Sequence, residues 1–305
     1  MRSYITRRLS YGAISLFLLS ISIFLVIRAT GDPAMMIVGP GGRPEDMERA
    51  RADWGLDAPG YQQYFSWVRN MARGDFGTSF QYRVGVRDLY FQRLPNSVQL
   101  AFAAFMVSLI IGIPLGIVTA VKVDTFWDTA SKVVAMLGLS IPGFFVGLVM
   151  IIVFAVGLRW LPAAGVGTWQ HLVMPALALG WYFAASMLRL TRSSMLEVLD
   201  SEYVKLARLK GVPEKFVIVK HAFKNALIPV LTLAGINFVI MINVAVIIET
   251  IFAWPGIGRL LYEGISLRDF PVVQGVVVMA GVMTLGVNLL VDMLYALIDP
   301  RIRYA

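Results

Sequence analysis

The chain has 305 residues, of which 58% are hydrophobic and only 15% are charged. A soluble domain carries about 25% charged residues, so this composition indicates a membrane protein. The net charge of +8 must first be explained by membrane orientation, and we exclude nucleic-acid binding as its cause. The absence of cysteine excludes disulfides, thiolate metal sites and a cysteine nucleophile, and two histidines leave little for a metal cluster.

Long runs without Asp, Glu, Lys or Arg predict where the chain crosses the bilayer. A hydrocarbon core of ~30 Å needs about 20 residues, and apolar runs of that length satisfy their backbone hydrogen bonds in lipid only as helices. Six runs are long enough: Leu9–Ile27, Leu94–Val121, Val133–Leu158, Trp160–Leu188, Asn225–Ile248 and Phe270–Val291. In the fourth run we expect the helix to begin at about Leu172. The predicted fold class is an all-α membrane protein with six transmembrane helices.

Counts of lysine and arginine in the connecting segments predict the orientation, because positive side chains are retained on the cytoplasmic face. With the amino terminus inside, the inner segments hold 15 such residues and the short outer loops hold three. We therefore expect a multi-pass protein of the cytoplasmic (inner) membrane with both termini in the cytoplasm.

A cleaved signal peptide is the alternative for the amino end, since Arg7 and Arg8 precede an apolar stretch. The run is longer than the apolar region of about 7–15 residues that such peptides carry, and no small-x-small cleavage site precedes Arg28. These features favour a retained helix.

The segment between the first two predicted spans, residues 29–96, is predicted to be a small external domain. Prolines and glycines interrupt it, and two short helices fit between them, from Pro44 to about Trp54 and from Gln62 to Arg73. A turn at 74–78 ends the second helix. Two interpretations stay open, a solvated lid that only covers the bundle and a docking surface for an outside partner.

The stretch from Arg189 to Lys224 is predicted to lie in the cytoplasm. It carries twelve charged residues, each of which would cost about 3 kcal/mol in mid-bilayer. Apolar residues at intervals of four, four and three predict one helical face: Met195, Leu199, Tyr203 and Leu206. Gly211 and Pro213 then predict a tight bend followed by a second helix. Such a pair could lie on lipid headgroups or fit a groove in a soluble partner.

Two parts of this stretch carry a more specific pattern, Glu202–Gly211 and His221–Pro229. They resemble the cytoplasmic loop of ABC importer permeases, in the branch that carries dipeptides, oligopeptides and nickel. The broader consensus of those permeases has Glu-Ala-Ala, three residues and then Gly. Here Lys205, Leu206 and Ala207 occupy the triplet, so only its second alanine and the following glycine are kept.

Further motifs extend the resemblance over nearly the whole chain. In order they are Gly74–Ser79, Arg93–Ser97, Ser140–Pro142, Glu249–Gly258, Arg268–Pro271 and Asp299–Arg301. The resemblance is to the first of the two peptide permeases, and it implies the fold of a type I importer. It divides the chain into 1–28 (amino terminus and first helix), 29–96 (external domain) and 97–305 (permease core). A cytoplasmic coupling segment at 189–228 then lies between helices 4 and 5.

The resemblance also implies partners. A permease of this kind pairs with a second homologous permease and with two ATPase subunits that bind ATP and Mg²⁺. An external solute-binding protein delivers short peptides, and similar importers carry nickel complexes, glutathione or oligosaccharides. The sequence has no Gly-x-x-x-x-Gly-Lys-Ser/Thr phosphate loop, so we expect the chain to be a transport subunit rather than an enzyme, with no cofactor or metal of its own.

The residues that the resemblance assigns to contact with the ATPase lie in the coupling segment. They are Glu202, Tyr203, Lys205, Ala207, Arg208, Gly211, His221 and Lys224.

Asparagines inside the predicted spans are candidates for lining the solute pathway, because an amide directed at lipid would lose its partners. They are Asn237, Asn243 and Asn288. Hydrogen bonding between helices is the open alternative. Glu249 and Asp292 lie near the ends of their helices, where we expect interfacial water or an arginine rather than a proton relay.

Glycine pairs with four-residue spacing predict close approach of helices: Gly112 with Gly116 and Gly143 with Gly147. Pro114, Pro142 and Pro175 interrupt backbone hydrogen bonding and are candidate flexing points.

Two other classes of protein were weighed. An ion-driven secondary carrier commonly shows repeated halves and intramembrane charges, and the sequence has neither a clear repeat nor a charge deep in a span. An intramembrane enzyme would need paired carboxylates, metal-ligand spacing or a nucleophile with a base, which the sequence does not offer.

Overall fold

The computed structural model describes residues 2–31, 33–38, 41, 43–53 and 55–298, and this part of the chain is all-helical. The motif Asp299–Arg301 and Trp54 therefore lie outside the described residues. The helices are α1 (Arg2–Thr30), α2 (Pro33–Val38), α3 (Pro44–Asp53), α4 (Gly60–Ala72), α5 (Val86–Val121), α6 (Phe126–Ser140), α7 (Gly143–Met150), α8 (Trp169–Leu199), α9 (Glu202–Leu209), α10 (Glu214–Phe216), α11 (Lys224–Ile251), α12 (Ile257–Ser266) and α13 (Phe270–Ile298). Two π-helical stretches, Ile151–Gly157 and Val217–Phe223, follow α7 and join α10 to α11.

Five helices within the described ranges are long and apolar enough to cross a membrane: Thr6–Thr30, Val86–Val121, Trp169–Leu199, Glu214–Ile251 and Phe270–Met293. The remaining predicted span forms α6 and α7 with its π-helical extension, a pair bent by 102°. Counted as one broken span, the pair brings the number to six. The all-helical fold class with six membrane segments is confirmed.

The break between α6 and α7 falls at Ser140–Pro142, one of the motifs that carry the resemblance. Proline restricts the residue before it to extended backbone, and Ile141 has φ −91° and ψ 119°. Pro142 also has no N–H to continue the helical ladder, so the next helix starts afresh at Gly143.

Several helices extend beyond the apolar runs that predicted them. Helix α5 begins at Val86 rather than Leu94, and α8 begins at Trp169 and runs on to Leu199. Charged residues at these ends do not stop a helix, because they only mark where it leaves the lipid. The two short helices predicted between the first two spans are present as α3 and α4, whereas the short α2 was not anticipated. The external position of this segment stays a prediction.

The chain divides into two compact units, which are described separately. The first comprises residues 1–95 and 256–289. In it Tyr64 of α4 joins Ser20 of α1 through a hydrogen bond of 2.8 Å between their hydroxyls, and packs edge-on against Phe24. Its main apolar cluster is built on Val86, Tyr90, Leu260 and Val276.

The second unit comprises residues 96–255 and 290–305. Glycines bring its helices into backbone contact, as their spacing predicted. A Cβ placed on Gly112 would lie 2.6 Å from the Cβ of Met187, and one on Gly143 would lie 2.7 Å from the carbonyl oxygen of Ala178. Helix α8 is the centre of this packing, and the largest apolar cluster of the unit includes Leu100, Met174 and Phe252.

Candidate coupling segment and membrane cavity

The charged stretch from Arg189 to Lys224, predicted to form a helix, a bend and a helix, contains a break that the sequence did not reveal. Helix α8 ends at Leu199, and α9 starts only after Ser201, whose extended backbone (φ −68°, ψ 148°) separates the two helices. The predicted face of Met195, Leu199, Tyr203 and Leu206 is therefore wrong, because these residues belong to two different helices. Serine and aspartate favour such breaks because their side chains compete for backbone groups.

The buried side of α9 is formed by smaller residues. Val204 and Ala207 are buried and pack with Val217, while Val212 and Leu199 close the cluster. Two residues three positions apart lie on one face of a helix. This face packs α9 against the end of α8 and the π-helical stretch Val217–Phe223.

The opposite side of α9 is exposed and apolar. Leu209 is 84% exposed, and Leu206 and Tyr203 are about half exposed. Phe216, in α10, adds a further exposed ring. A short amphipathic helix that leaves this much apolar surface uncovered has the form of a ligand for a groove in another protein.

The bend after α9 depends on the backbone conformation of Gly211. Its φ is +73°, a left-handed value that residues with a Cβ seldom adopt, and its N–H donates to the carbonyl of Arg208 at 3.0 Å. The N–H of Val212 donates to the carbonyl of Ala207 at 3.2 Å. These bonds satisfy the carbonyls at the end of α9 and turn the chain into α10.

An ion pair closes the bend. Arg208 Nη2 lies 2.7 Å from Glu214 Oε1, and Arg208 Nε donates to Glu214 Oε2 at 3.2 Å. This two-point geometry fixes both planar groups. The hydrogen bond from Arg208 to Glu214 raises the pKa of that guanidinium further above its usual range.

At the start of α9, Lys205 bonds to two acids. Its Nζ lies 3.1 Å from Asp200 Oδ1 and 3.2 Å from Glu202 Oε1, and these bonds, the one to Asp200 first, raise the pKa of Lys205. Both acids are well exposed, so the pairs orient side chains more than they stabilise the fold.

The remaining coupling candidates, His221 and Lys224, lie where the π-helical stretch ends. The carbonyl of His221 accepts hydrogen bonds from Asn225 Nδ2 at 2.7 Å and from the Tyr203 hydroxyl at 3.4 Å. Beneath them, Ala120, Met195, Ala222 and Ala226 form a buried cluster. The ends of α5 and α8 and the beginning of α11 therefore meet directly under α9.

The three asparagines predicted for the pathway have different surroundings. Asn237 is 4% exposed, and its Nδ2 has no hydrogen-bond partner among the described residues. Asn243 is exposed and donates to the Val239 carbonyl at 2.9 Å, within its own helix. Asn288 is half-buried. Whether any of them faces the solute stays a prediction.

Glu249 differs from its expected interfacial position. It is 1% exposed, and Oε1 accepts a hydrogen bond of 2.6 Å from Ser97. Next to it Trp254 Nε1 donates to the Asn96 carbonyl at 2.9 Å. The buried Glu249 carboxylate therefore links α11 to α5 within this unit.

His171 takes part in capping α8. Its Nδ1 lies 2.9 Å from Thr168 Oγ1, in a capping box at the first turn. Over the part of the chain that is described, no cluster of His, Asp and Glu is suited to hold a metal ion.

A cavity of about 980 Å³ lies in the second unit between α6, α8 and α11. Lys132 and Met136 of α6, Tyr182 and Arg189 of α8 and Leu233 of α11 are among the residues that line it. None of the three asparagines contributes to its wall.

Comparison with known families gives two matches that together cover nearly the whole chain. Residues 112–304 match the family described as the binding-protein-dependent transport system inner membrane component. Residues 1–101 match the corresponding amino-terminal family of membrane components.

Curated relatives are similar from end to end. The glutathione transport system permease protein GsiC of Escherichia coli (strain K12) is 39% identical over 305 residues, covering all of both chains. A putative peptide transport system permease protein of Brucella abortus (strain 2308) is 40% identical over 313 residues, again covering all of both chains.

Two solved structures share the fold. An inward-facing methionine ABC transporter matches with a TM-score of 0.58 at 16% identity, covering 69% of this chain and 96% of that one. An amino acid ABC transporter with histidines matches with a TM-score of 0.55 at 14% identity, covering 68% and 94%.

The all-helical membrane fold and the end-to-end similarity to importer permeases define the membrane subunit of an ABC importer. The chain belongs to the binding-protein-dependent transport system inner membrane component family. It is a multi-pass inner-membrane permease, works with ATPase and binding-protein partners, and is not itself the enzyme that hydrolyses ATP.

Proposed function

We propose that this chain is the permease through which an ATP-driven importer takes up short peptides, with glutathione as a second candidate cargo. The observation that carries the proposal is end-to-end identity of 39–40% to permeases named for glutathione and peptide transport. Uptake of nickel complexes or oligosaccharides by the same machinery has no comparable support.

We further propose that the assembly contains a second homologous permease and two ATPase subunits that bind ATP and Mg²⁺. Helix α9 is the contact with an ATPase. Its support is the exposed apolar face at Leu206 and Leu209, beside the charged pair Arg208–Glu214. A groove that accepted this face would gain apolar burial and could pair with the charges around it.

The external domain is proposed to receive the solute-binding protein. Helix α4 holds to α1 through Tyr64 and leaves Tyr61 and Phe65 about two-thirds exposed. Exposed aromatic side chains on a fixed helix are typical anchors of protein interfaces. In this arrangement both termini are cytoplasmic, because lysines and arginines are concentrated in the connecting segments that lie on the same side of the membrane as the termini.

The proposed function is tested by reconstituting the permease pair, the ATPases and the binding protein in liposomes. We expect uptake of a labelled tripeptide and of glutathione that requires both ATP and the binding protein. Uptake by this chain alone under an ion gradient would contradict the proposal and favour a secondary carrier. A nickel chelate or an oligosaccharide, supplied in place of the peptide, is the control for the identity of the transported solute.

A further inference from the structure

The cavity between α6, α8 and α11 is lined by a polar stripe along one face of α8. Tyr182, Ser186, Arg189 and Ser193 all contribute to its wall, at intervals of four, three and four residues. These intervals place the four side chains on one side of the helix. The rest of α8 in this region is largely buried and apolar, as at Phe183, Ala184 and Met187.

The charge around the cavity is positive. Lys132, Arg189 and Arg192 line it, and no acidic side chain is among its lining residues. Asp128, which is fully buried, bonds to two of these cations, at 2.7 Å to Lys132 Nζ and 3.0 Å to Arg192 Nε. Arg189 is exposed, and its guanidinium has no protein partner among the described residues.

Membrane orientation alone does not explain this arrangement. Retention of positive charge on the cytoplasmic side favours lysine and arginine near a helix end on any face. It gives no reason for Arg189 to share a face with Tyr182 and Ser186, which lie further into the span. A polar stripe of this kind in a membrane helix indicates a surface that meets water or a polar ligand rather than lipid.

We propose that this cavity is a binding site for a second carboxylate of the transported solute, beyond the C-terminal carboxylate that every peptide carries, on its way through the permease. Arg189 is the group that receives the carboxylate, with Tyr182 and Ser186 as hydrogen-bonding neighbours and Lys132 contributing positive potential. Guanidinium groups recognise carboxylates through two parallel hydrogen bonds, and a group without a protein partner can form them. The site therefore favours anionic peptides, among them glutathione, over cationic ones. This inference rests on the proposed function and specifies the charge of its cargo.

The test compares uptake of solutes that differ in charge by the complete reconstituted importer. The probes are glutathione and the tripeptides Ala-Glu-Ala, Ala-Gln-Ala and Ala-Lys-Ala, each supplied with saturating binding protein so that the maximal rate reports on the permease. The variants are Arg189→Gln and Arg189→Lys. Lys122→Gln is the matched control, because it removes one positive charge from a loop outside the cavity wall.

We expect Arg189→Gln to lower the maximal rate for Ala-Glu-Ala and glutathione by about fivefold relative to Ala-Lys-Ala. Arg189→Lys should restore part of this preference, and Lys122→Gln should leave the ratio unchanged. An equal loss of maximal rate for all probes would overturn the proposal and assign Arg189 to contact between permeases. An unchanged ratio of the rates for anionic and cationic probes would also overturn it.

If Arg189→Gln does not assemble, Lys132→Gln takes its place. We expect that variant to lower the maximal rate for Ala-Glu-Ala and glutathione relative to Ala-Lys-Ala by less than Arg189→Gln would. An unchanged ratio in that variant overturns the proposal. Failure of the proposed function is a different result, because the unmodified importer would then take up none of the four probes.

Discussion

Ser97 donates a hydrogen bond of 2.6 Å to Glu249, and the two side chains are only 3% and 1% exposed. The contact joins α5 to the far end of α11, more than a hundred positions along the chain. Asn96 strengthens the same junction, since its Nδ2 donates to the Pro255 carbonyl at 2.8 Å and its own carbonyl accepts from Trp254. A carboxylate in a membrane helix is thus used to tie two elements together.

Replacement of Glu249 is expected to destabilise the protein. Glu249→Ala leaves the buried Ser97 hydroxyl without this acceptor and should cost about 2–3 kcal/mol, whereas Glu249→Gln keeps an acceptor oxygen and should cost less than half of that. Thermal unfolding of the detergent-solubilised protein measures the difference. Glu197→Ala removes an exposed carboxylate from α8 and serves as control. Equal stability of Glu249→Ala and the control would contradict the structural role.

Addition of a methyl group at Gly112 is expected to separate two helices. The new Cβ would lie 2.6 Å from the Met187 Cβ and 2.7 Å from the Ala184 carbonyl oxygen, so the helix backbones must move apart. We expect Gly112→Ala to cost about 1–3 kcal/mol in the free energy of unfolding.

Gly286→Ala is the matched control for Gly112→Ala, because a Cβ at Gly286 meets nothing within 4 Å. That substitution should be neutral or slightly stabilising, since alanine favours a helix more than glycine does. If both variants unfold at the same temperature, close approach at Gly112 is not what holds α5 to α8.

Substitution of Gly211 should uncouple ATP hydrolysis from the solute. A Cβ there meets nothing within 4 Å, so any effect comes from the left-handed φ of +73° rather than from a steric clash. Valine disfavours that conformation by about 1–2 kcal/mol, whereas asparagine tolerates it. Solute-stimulated ATP hydrolysis by the reconstituted importer should fall in Gly211→Val and persist in Gly211→Asn. Unaltered coupling in the valine variant would remove the bend from the mechanism.

The Tyr82–Glu263 bond predicts a specific dependence of stability on pH. The Tyr82 hydroxyl donates to Glu263 Oε2 at 2.7 Å, and burial, followed by this bond, raises the Tyr82 pKa above its ordinary value of 10.0. The neutral phenol is therefore favoured in the folded state, and its contribution is present below pH 10 and lost as pH rises through the folded-state pKa.

Tyr82→Phe removes this bond and should lower stability by about 1 kcal/mol. Unfolding measured from about pH 7 to pH 11 should show a constant difference from the unmodified protein up to about pH 10 and a narrowing above it. A difference that stays constant up to pH 11 would mean that the Tyr82 pKa is the same in the folded and unfolded states and is raised neither by burial nor by Glu263.

The membrane part of the fold was largely predictable because the absence of charge over some twenty residues has few physical interpretations. What a charge count cannot reveal is where a helix ends outside the lipid. Helix α5 starts at Val86 although Arg87, Asp88 and Arg93 lie in its first turns. Arg87 and Asp88 are exposed and Arg93 is half-buried, and the backbone hydrogen bonds of the helix continue past all three.

In the segment predicted to contact the ATPase, the sequence indicated the bend but not the break before it. Gly211 and Pro213 correctly indicated the bend, since each has a backbone constraint that is visible in sequence. The break at Asp200 and Ser201 was missed, because both residues are also tolerated inside helices and only the packing of Val204 and Ala207 decides between the two. The cavity wall was missed for a similar reason. Tyr182, Ser186 and Arg189 can be recognised as lining a cavity only when the position of α6 opposite them is known.

Backbone contact at Gly112 and Gly116 has a mechanical consequence. Where two helices contact through side chains, a small displacement of one helix can be accommodated by changes of rotamer. Where they contact through backbone atoms, no rotamer change can accommodate it. A force applied to α9 should therefore shift α8 and α5 together as a stiff body, and the stiffness comes from residues that have no side chain.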